Sequence, residues 1–141
     1  MKRRLKVYFI HSNKMDYKNL LYRYILSSPV AIVHELMLPQ TKKYQDKYVK
    51  DLLNSADIVI AEVSFPSFLL KLELKWALKS GKPIKYISLN NIISKKLKKV
   101  VPEIEMITDE NTLTNIIENF ITYYSSKSLE ELQDPTIIFG E

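Results

Sequence analysis

The chain has 141 residues, 46% of them hydrophobic and 26% charged, the size and balance of one globular domain that buries its own core, which excludes a disordered polymer. It contains no cysteine and only two histidines, His11 and His34, which excludes disulfide frameworks and thiolate metal sites and argues against a histidine-rich one. The net charge of +5 comes from scattered lysines that suit a small anionic ligand and, without a nucleic-acid motif, do not predict nucleic-acid binding.

The chain opens Met1-Lys2-Arg3-Arg4-Leu5, charged but without the small-residue cleavage site of a signal peptide. No apolar run approaches bilayer length, so a cytoplasmic location and no membrane contact are expected. Residues 5–11 are rich in β-branched and aromatic types and predict a strand. Ser12 and Asn13 offer N-caps for a helix through about Leu26, with Leu20, Leu21 and Tyr24 on its apolar face. Pro29 ends that stretch, and residues 30–33 read as a second short strand. Pro39 marks a loop, and residues 43–55 follow as an amphipathic helix carrying Tyr44, Tyr48 and Leu52.

Residues 57–63, Asp-Ile-Val-Ile-Ala-Glu-Val, form a near-continuous apolar run that suits a central parallel strand buried on both faces. The turn Ser64-Phe65-Pro66-Ser67 leads into a helix predicted over 68–80. Gly81 caps it and Pro83 opens a strand over 84–89. The run Lys95-Lys96-Leu97-Lys98-Lys99 reads as a solvated helix face. A short strand near 104–107, a helix from Asn111 to about Tyr124, and a helical turn plus extended tail over 125–141 complete the chain. One α/β domain over residues 1–124 and a C-terminal tail over 125–141 are therefore expected.

Strands alternating with helices predict a single doubly wound five-stranded parallel sheet, order about 2-1-3-4-5, of the flavodoxin-like or Rossmann-like kind. Ligands in such sheets sit beyond the carboxyl ends of the strands, at the switch point. Those ends are His11-Ser12 after the first strand and residues 62–67 after the third.

Winding residues 68–80 at about 100° per residue places Lys71, Lys75 and Lys79 on one solvent-facing stripe. Glu73 falls on the opposite arc, flanked by Leu69, Leu70, Trp76 and Ala77. A carboxylate on a buried face must be paired, protonated or lining a cavity. Two readings stay open: a structural acid bonded to a tyrosine or backbone amide, and a reactive carboxylate in the crevice at the end of the third strand. The second is preferred because the loop 64–67 lies where such folds bind ligands.

The segment Ser55-Ala56-Asp57-Ile58-Val59-Ile60-Ala61-Glu62-Val63-Ser64-Phe65-Pro66-Ser67, followed by Glu73-Leu74 and Gly81-Lys82-Pro83-Ile84, resembles the nucleoside 2-deoxyribosyltransferase family. Within it the chain looks most like the branch containing 2'-deoxynucleoside 5'-phosphate N-hydrolase. A strand ending Ala-Glu-Val, a Pro-Ser turn and a glutamate six residues after the serine carry the resemblance. Tyr8-Phe9-Ile10-His11-Ser12 is similar to the family's first strand, and the likeness extends from residue 5 to about residue 90.

The resemblance implies that Glu73 is the nucleophile that attacks C1' of a deoxyribosyl group and displaces the base, the covalent carboxylate catalysis that retaining glycosidases use. It also implies that Tyr8 hydrogen-bonds and orients Glu73, and that Ser12 and Ser67 contact the 5' end of a nucleoside or nucleotide, at a helix N-terminus suited to an anion. For each serine a plain capping role is the alternative. No metal or organic cofactor is implied. Pro66, in the turn, is a further candidate for substrate contact. Glu62 is a candidate acid, with a loop-fixing acceptor for backbone amides as the alternative, and His11 is a candidate crevice-lining residue.

Four positions depart from the family pattern. Leu69, Lys71 and Lys75 occupy positions where the family has glycines, and side chains there narrow a pocket. The family's second acid, an aspartate, aligns with Val49. Asp46, one turn earlier on the same predicted helix face, is the residue available to replace it, unless it is a solvated surface acid. The readings carried forward are an enzyme acting at an N-glycosidic bond, a degenerate member that binds a nucleotide without turning it over, and an interaction protein on the same fold. A homo-oligomer is expected, with Phe65 and Phe68 offering apolar contact and Ile137-Ile138-Phe139 available to pack on a neighbour.

Overall fold

The computed structural model describes residues 3–89, 99, 101 and 103–127. Five strands form one sheet: β1 Lys6–Ile10, β2 Glu35–Met37, β3 Ile58–Glu62, β4 Ile84–Ser88 and β5 Glu105–Met106. Every pairing is parallel and the order is β2-β1-β3-β4-β5, as the strand–helix alternation predicts. All five residues of β3 are buried, which fits its place at the centre with a strand on each side.

Alternation along β1 divides the core between the two faces of the sheet. Val7 and Phe9 pack with Leu21, Ile25, Leu113 and Ile117 on one face. Tyr8 and Ile10 pack with Leu52, Leu53, Leu70 and Leu74 on the other. The first face is covered by helical turns at Lys18–Tyr22, by α1 Arg23–Leu26 and by α5 Glu110–Ser125; the second by α3 Val49–Ser55 and α4 Phe68–Ser80. Each fully buried leucine or isoleucine contributes on the order of 1.5–3 kcal/mol. No described helix is long and apolar enough to cross a membrane.

Residues 30–33 are not a strand. Val30–Val33 is a helical turn, α2, and β2 follows it. The cause lies just before it: the Val30 amide donates to Ser28 Oγ at 3.4 Å, and Pro29, at φ −55°, is already set for a helix. His34 then turns extended, at ψ 159°.

The helix expected over 43–55 forms only over Val49–Ser55. Tyr44 is buried and its hydroxyl donates to Glu35 at 2.7 Å, which holds residues 40–47 as turns against the start of β2. Tyr48 is extended at ψ 136° and stands 80% exposed. The shared helix face on which Asp46 was expected therefore does not form.

Ser12 and Asn13 cap no helix. Ser12 Oγ accepts from the Lys14 amide at 3.1 Å, and helical structure begins at Lys18 as a π-helical turn. Leu21 is buried there as expected, whereas Leu20 is exposed. By contrast, α4 runs over the predicted residues and ends at Gly81 with φ 72°, a conformation that costs a glycine nothing. Residues Lys95–Lys98 of the basic run and residues 128–141 of the tail, with its Ile137-Ile138-Phe139, lie outside the described residues.

Candidate active site

Glu73 owes its place to the start of α4. Ser67 caps that helix, its Oγ accepting from the Leu70 amide at 3.1 Å, so Glu73 lies in the second turn. The buried arc of α4 is Leu70, Glu73, Leu74 and Ala77. Leu74 thus stands where Leu69 and Trp76 were expected, since Leu69 is 49% exposed and Trp76 half-buried. Glu73 is nevertheless the one charged residue of that arc.

Tyr8, fully buried in the middle of β1, donates its hydroxyl to Glu73 Oε1 at 3.3 Å. That is long for an O–H···O bond. Burial pushes the Glu73 carboxyl from 4.5 up to about 7, and the Tyr8 hydrogen bond opposes the rise. Burial and the neighbouring Glu73 push the Tyr8 hydroxyl up as well, so it stays a donor throughout the neutral range.

Beyond the carboxyl ends of β1 and β3 lies a cavity of about 200 Å³. His11, Ser12, Asn13 and Lys14 form one wall, and Ser67, Leu69 and Leu70 the other. The two loops that sequence reasoning assigned to the switch point thus do face each other. Leu70 joins this cavity to the buried arc, because Glu73 follows it by three residues on the same helix face. Of the three positions where glycines were expected, only Leu69 lines the cavity. Lys71 and Lys75 are exposed, on the solvent stripe.

His11 is held on three sides. Its Nε2 pairs with Tyr22 Oη at 2.6 Å, its Nδ1 with the Ser12 carbonyl at 3.1 Å, and its ring stacks on Tyr17 at 4.9 Å. A carbonyl only accepts, so Nδ1 carries the proton and Nε2 accepts from Tyr22. Burial depresses the His11 pKa, which keeps that neutral form. Tyr22 Oη also accepts from the Gln40 amide at 3.1 Å, and Gln40 Nε2 donates to Asn13 at 3.1 Å. The loop after β1 is thereby tied to the loop after β2.

Glu62 is buried, and both its oxygens are engaged. Oε1 accepts from the Ser64 amide at 2.8 Å, and Oε2 from the Leu89 amide at 2.7 Å and from the Ser64 hydroxyl. This is the loop-fixing arrangement, joining the loop after β3 to the end of β4. Burial still holds its carboxyl above the usual carboxylate range. Pro66 is exposed in the same loop. Asp46 is exposed in the turns before α3 and does not line the cavity.

Sequence reasoning assigned no role to Lys14, Tyr22 and Gln40, and to Asn13 only that of a helix cap. Lys14 carries a usable signal, a cation directly after a switch-point strand. Tyr22 and Gln40 carry none, since their partners lie on other elements.

Among solved structures, the fold is similar to that of the CMP N-glycosidase BcmB from Clostridium botulinum, with a TM-score of 0.61 and 16% identity over 82% of this chain and 98% of that chain. The likeness is one of fold. No protein-family model and no curated protein matches the sequence. Among the described residues, no three His, Cys, Asp or Glu side chains gather as a metal-ligand set.

Proposed function

We propose that the crevice binds a nucleoside or nucleoside 5'-monophosphate and breaks its N-glycosidic bond, with Glu73 as nucleophile, in a divergent member of the nucleoside 2-deoxyribosyltransferase family. The observation that carries the reading is the Tyr8–Glu73 pair, a buried carboxylate with its own donor, three residues along α4 from Leu70 of the cavity wall. The fold shared with a CMP N-glycosidase supports it.

In the first step a Glu73 oxygen attacks C1', the C1'–N bond breaks, and the base leaves with the bonding electrons and takes up a proton. The resulting glycosyl ester is then opened at C1' by water or a second base, which restores the carboxylate. Tyr8 holds Glu73 Oε1, leaving Oε2 to attack. Ser12 and Ser67 both accept backbone amides through Oγ, so each hydroxyl keeps its proton to donate to the 5' end. Lys14 adds positive charge on the same wall, and the first turn of α4 adds backbone donors.

The second reading is a module that binds such a ligand without turning it over. One observation favours it: among the described residues the cavity lining holds no carboxylate, neither Glu73 itself nor a second acid to assist base departure. Base release from CMP and a panel of deoxynucleosides and their 5'-monophosphates, by wild type and Glu73→Ala, separates the two. Release that vanishes in the variant supports the enzyme. Saturable binding by calorimetry with no release, with or without an acceptor base, supports the module.

In this reading residues 1–124 are the catalytic domain and 125–141 a tail, working in the cytoplasm on a small molecule, with neither nucleic acid nor membrane as partner. A homo-oligomer also belongs to it. Phe68, at 82% exposure, offers the apolar contact, whereas Phe65 is half-buried against the core.

A further inference from the structure

On the sheet face that carries Tyr8, α3 and α4 both end where the next strand begins. Between them, toward the opposite end of the sheet from the crevice, is a groove of about 310 Å³. Lys50, Leu53 and Asn54 of α3 form one wall, and Trp76, Lys79 and Ser80 of α4 the other.

Two ammonium groups share this groove, and its lining holds no carboxylate. Lys50 and Lys79 are both exposed, and neither pairs with an acid among the described residues. Lys50 Nζ stands instead 4.9 Å from the centre of the Trp76 ring, so the indole holds a cation that no anion answers. Trp76 itself is only half-buried, which leaves part of its surface to a ligand.

Helix C-termini carry partial negative charge, which opposes an anion. At the end of α3 that charge is already answered. Lys82 Nζ donates to the Leu53 carbonyl and, at 2.6 Å, to the Asn54 carbonyl. Near the end of α4, Ser80 Oγ donates to the Ala77 carbonyl at 2.5 Å. The exposed Asn54 side-chain amide adds a donor to the wall.

We propose that this groove is a second ligand site, which takes a planar aromatic ring carrying a phosphate, the chemistry of a nucleoside monophosphate. The phosphate lies between Lys50 and Lys79, and the ring replaces the Lys50 ammonium on the indole. Binding exchanges one exposed cation–π contact for a stacked ring and two charge-assisted hydrogen bonds. The volume is that of a small-molecule site. The site rests on its own lining, whichever reading of the crevice holds.

Trp76 is the only tryptophan of the chain, so its fluorescence reports the groove. Titration of the full chain with CMP is expected to quench it saturably. Cytidine and inorganic phosphate are each expected to act at least about tenfold more weakly, since neither supplies both groups. Two variants separate the groove from the crevice. Lys50→Gln with Lys79→Gln weakens the CMP response about tenfold or more, whereas Lys14→Gln, on the crevice wall, leaves it unchanged. No response at millimolar CMP overturns the proposal, as does quenching that survives the paired groove substitutions or vanishes with Lys14→Gln. Equal quenching by cytidine or by phosphate alone overturns the ligand class, and tighter binding of a single-stranded oligonucleotide than of CMP assigns the groove to nucleic acid instead. None of these readouts uses base release, so the site and the chemistry of Glu73 stand or fall separately.

Discussion

The hydroxyl of Tyr8 and the carboxylate of Glu73 meet at 3.3 Å although 65 positions separate them in the chain. One comes from the middle of β1 and the other from the second turn of α4. Their contact couples the ionisation of Glu73 to the position of the first strand.

Tyr8→Phe removes the one interaction that lowers the Glu73 pKa. The carboxyl is expected to titrate above 7, and the alkaline rise in base release to move up by roughly one pH unit, the equivalent of a hydrogen bond worth about 1–1.5 kcal/mol. The pH profile of kcat/KM checks it. An unshifted midpoint with a lower plateau would mean that Tyr8 contacts the substrate instead.

Two buried groups pull stability in opposite directions with pH. Glu73 has a raised folded pKa, so its contribution is full below 4.5 and is lost as pH rises through about 7. His11 has a depressed folded pKa, so its contribution is present above 6.5 and is lost as pH falls below it. Glu73→Gln removes only the first. It is expected to exceed wild type in stability by up to about 3 kcal/mol at pH 8, at about 1.4 kcal/mol per pKa unit, with the gap closing below pH ~4.5. Urea unfolding at pH 4, 6 and 8 measures the gap, and a constant difference across that range would contradict the assignment.

Glu62→Gln replaces one acceptor oxygen by an NH₂ that faces either the Ser64 amide or the Leu89 amide with the Ser64 hydroxyl. The loss is expected to be about 2–4 kcal/mol, the cost of leaving buried donors unpaired. Chemical denaturation at neutral pH reads it directly, and a change below about 0.5 kcal/mol would mean that this loop is not held by Glu62.

Sedimentation at micromolar concentration is expected to find a dimer or larger assembly, and Phe68→Asp to dissociate it, since a buried unpaired charge opposes association. A wild-type monomer would remove the oligomer from the proposed function while leaving the Tyr8–Glu73 pair untouched.

Residues whose roles depend on neighbours within a few positions were legible before any fold was known. β3 announced itself as five consecutive buried residues, α4 by its lysine stripe and Gly81, and Glu73 as the lone charge on the inner arc. Periodicity reports which way a side chain faces, and that is a local property. The strand–helix alternation then left few topologies, which is why the order β2-β1-β3-β4-β5 followed.

Other features waited for the tertiary structure. The β-branched run 30–33 serves a strand or a helical turn equally well until Ser28 and Pro29 start the turn. Tyr44 left the predicted helix because Glu35, on a different element, takes its hydroxyl. Glu62 became a loop clasp through Leu89, 27 positions away, and His11 was fixed by Tyr22 and Tyr17, for which no spacing rule exists. A hydrogen bond between distant residues is set by how crossovers bring strand ends together, and no one-dimensional period encodes that distance. The chain alone therefore determined which faces are buried and where the crevice lies, and only packing decided which polar groups meet there.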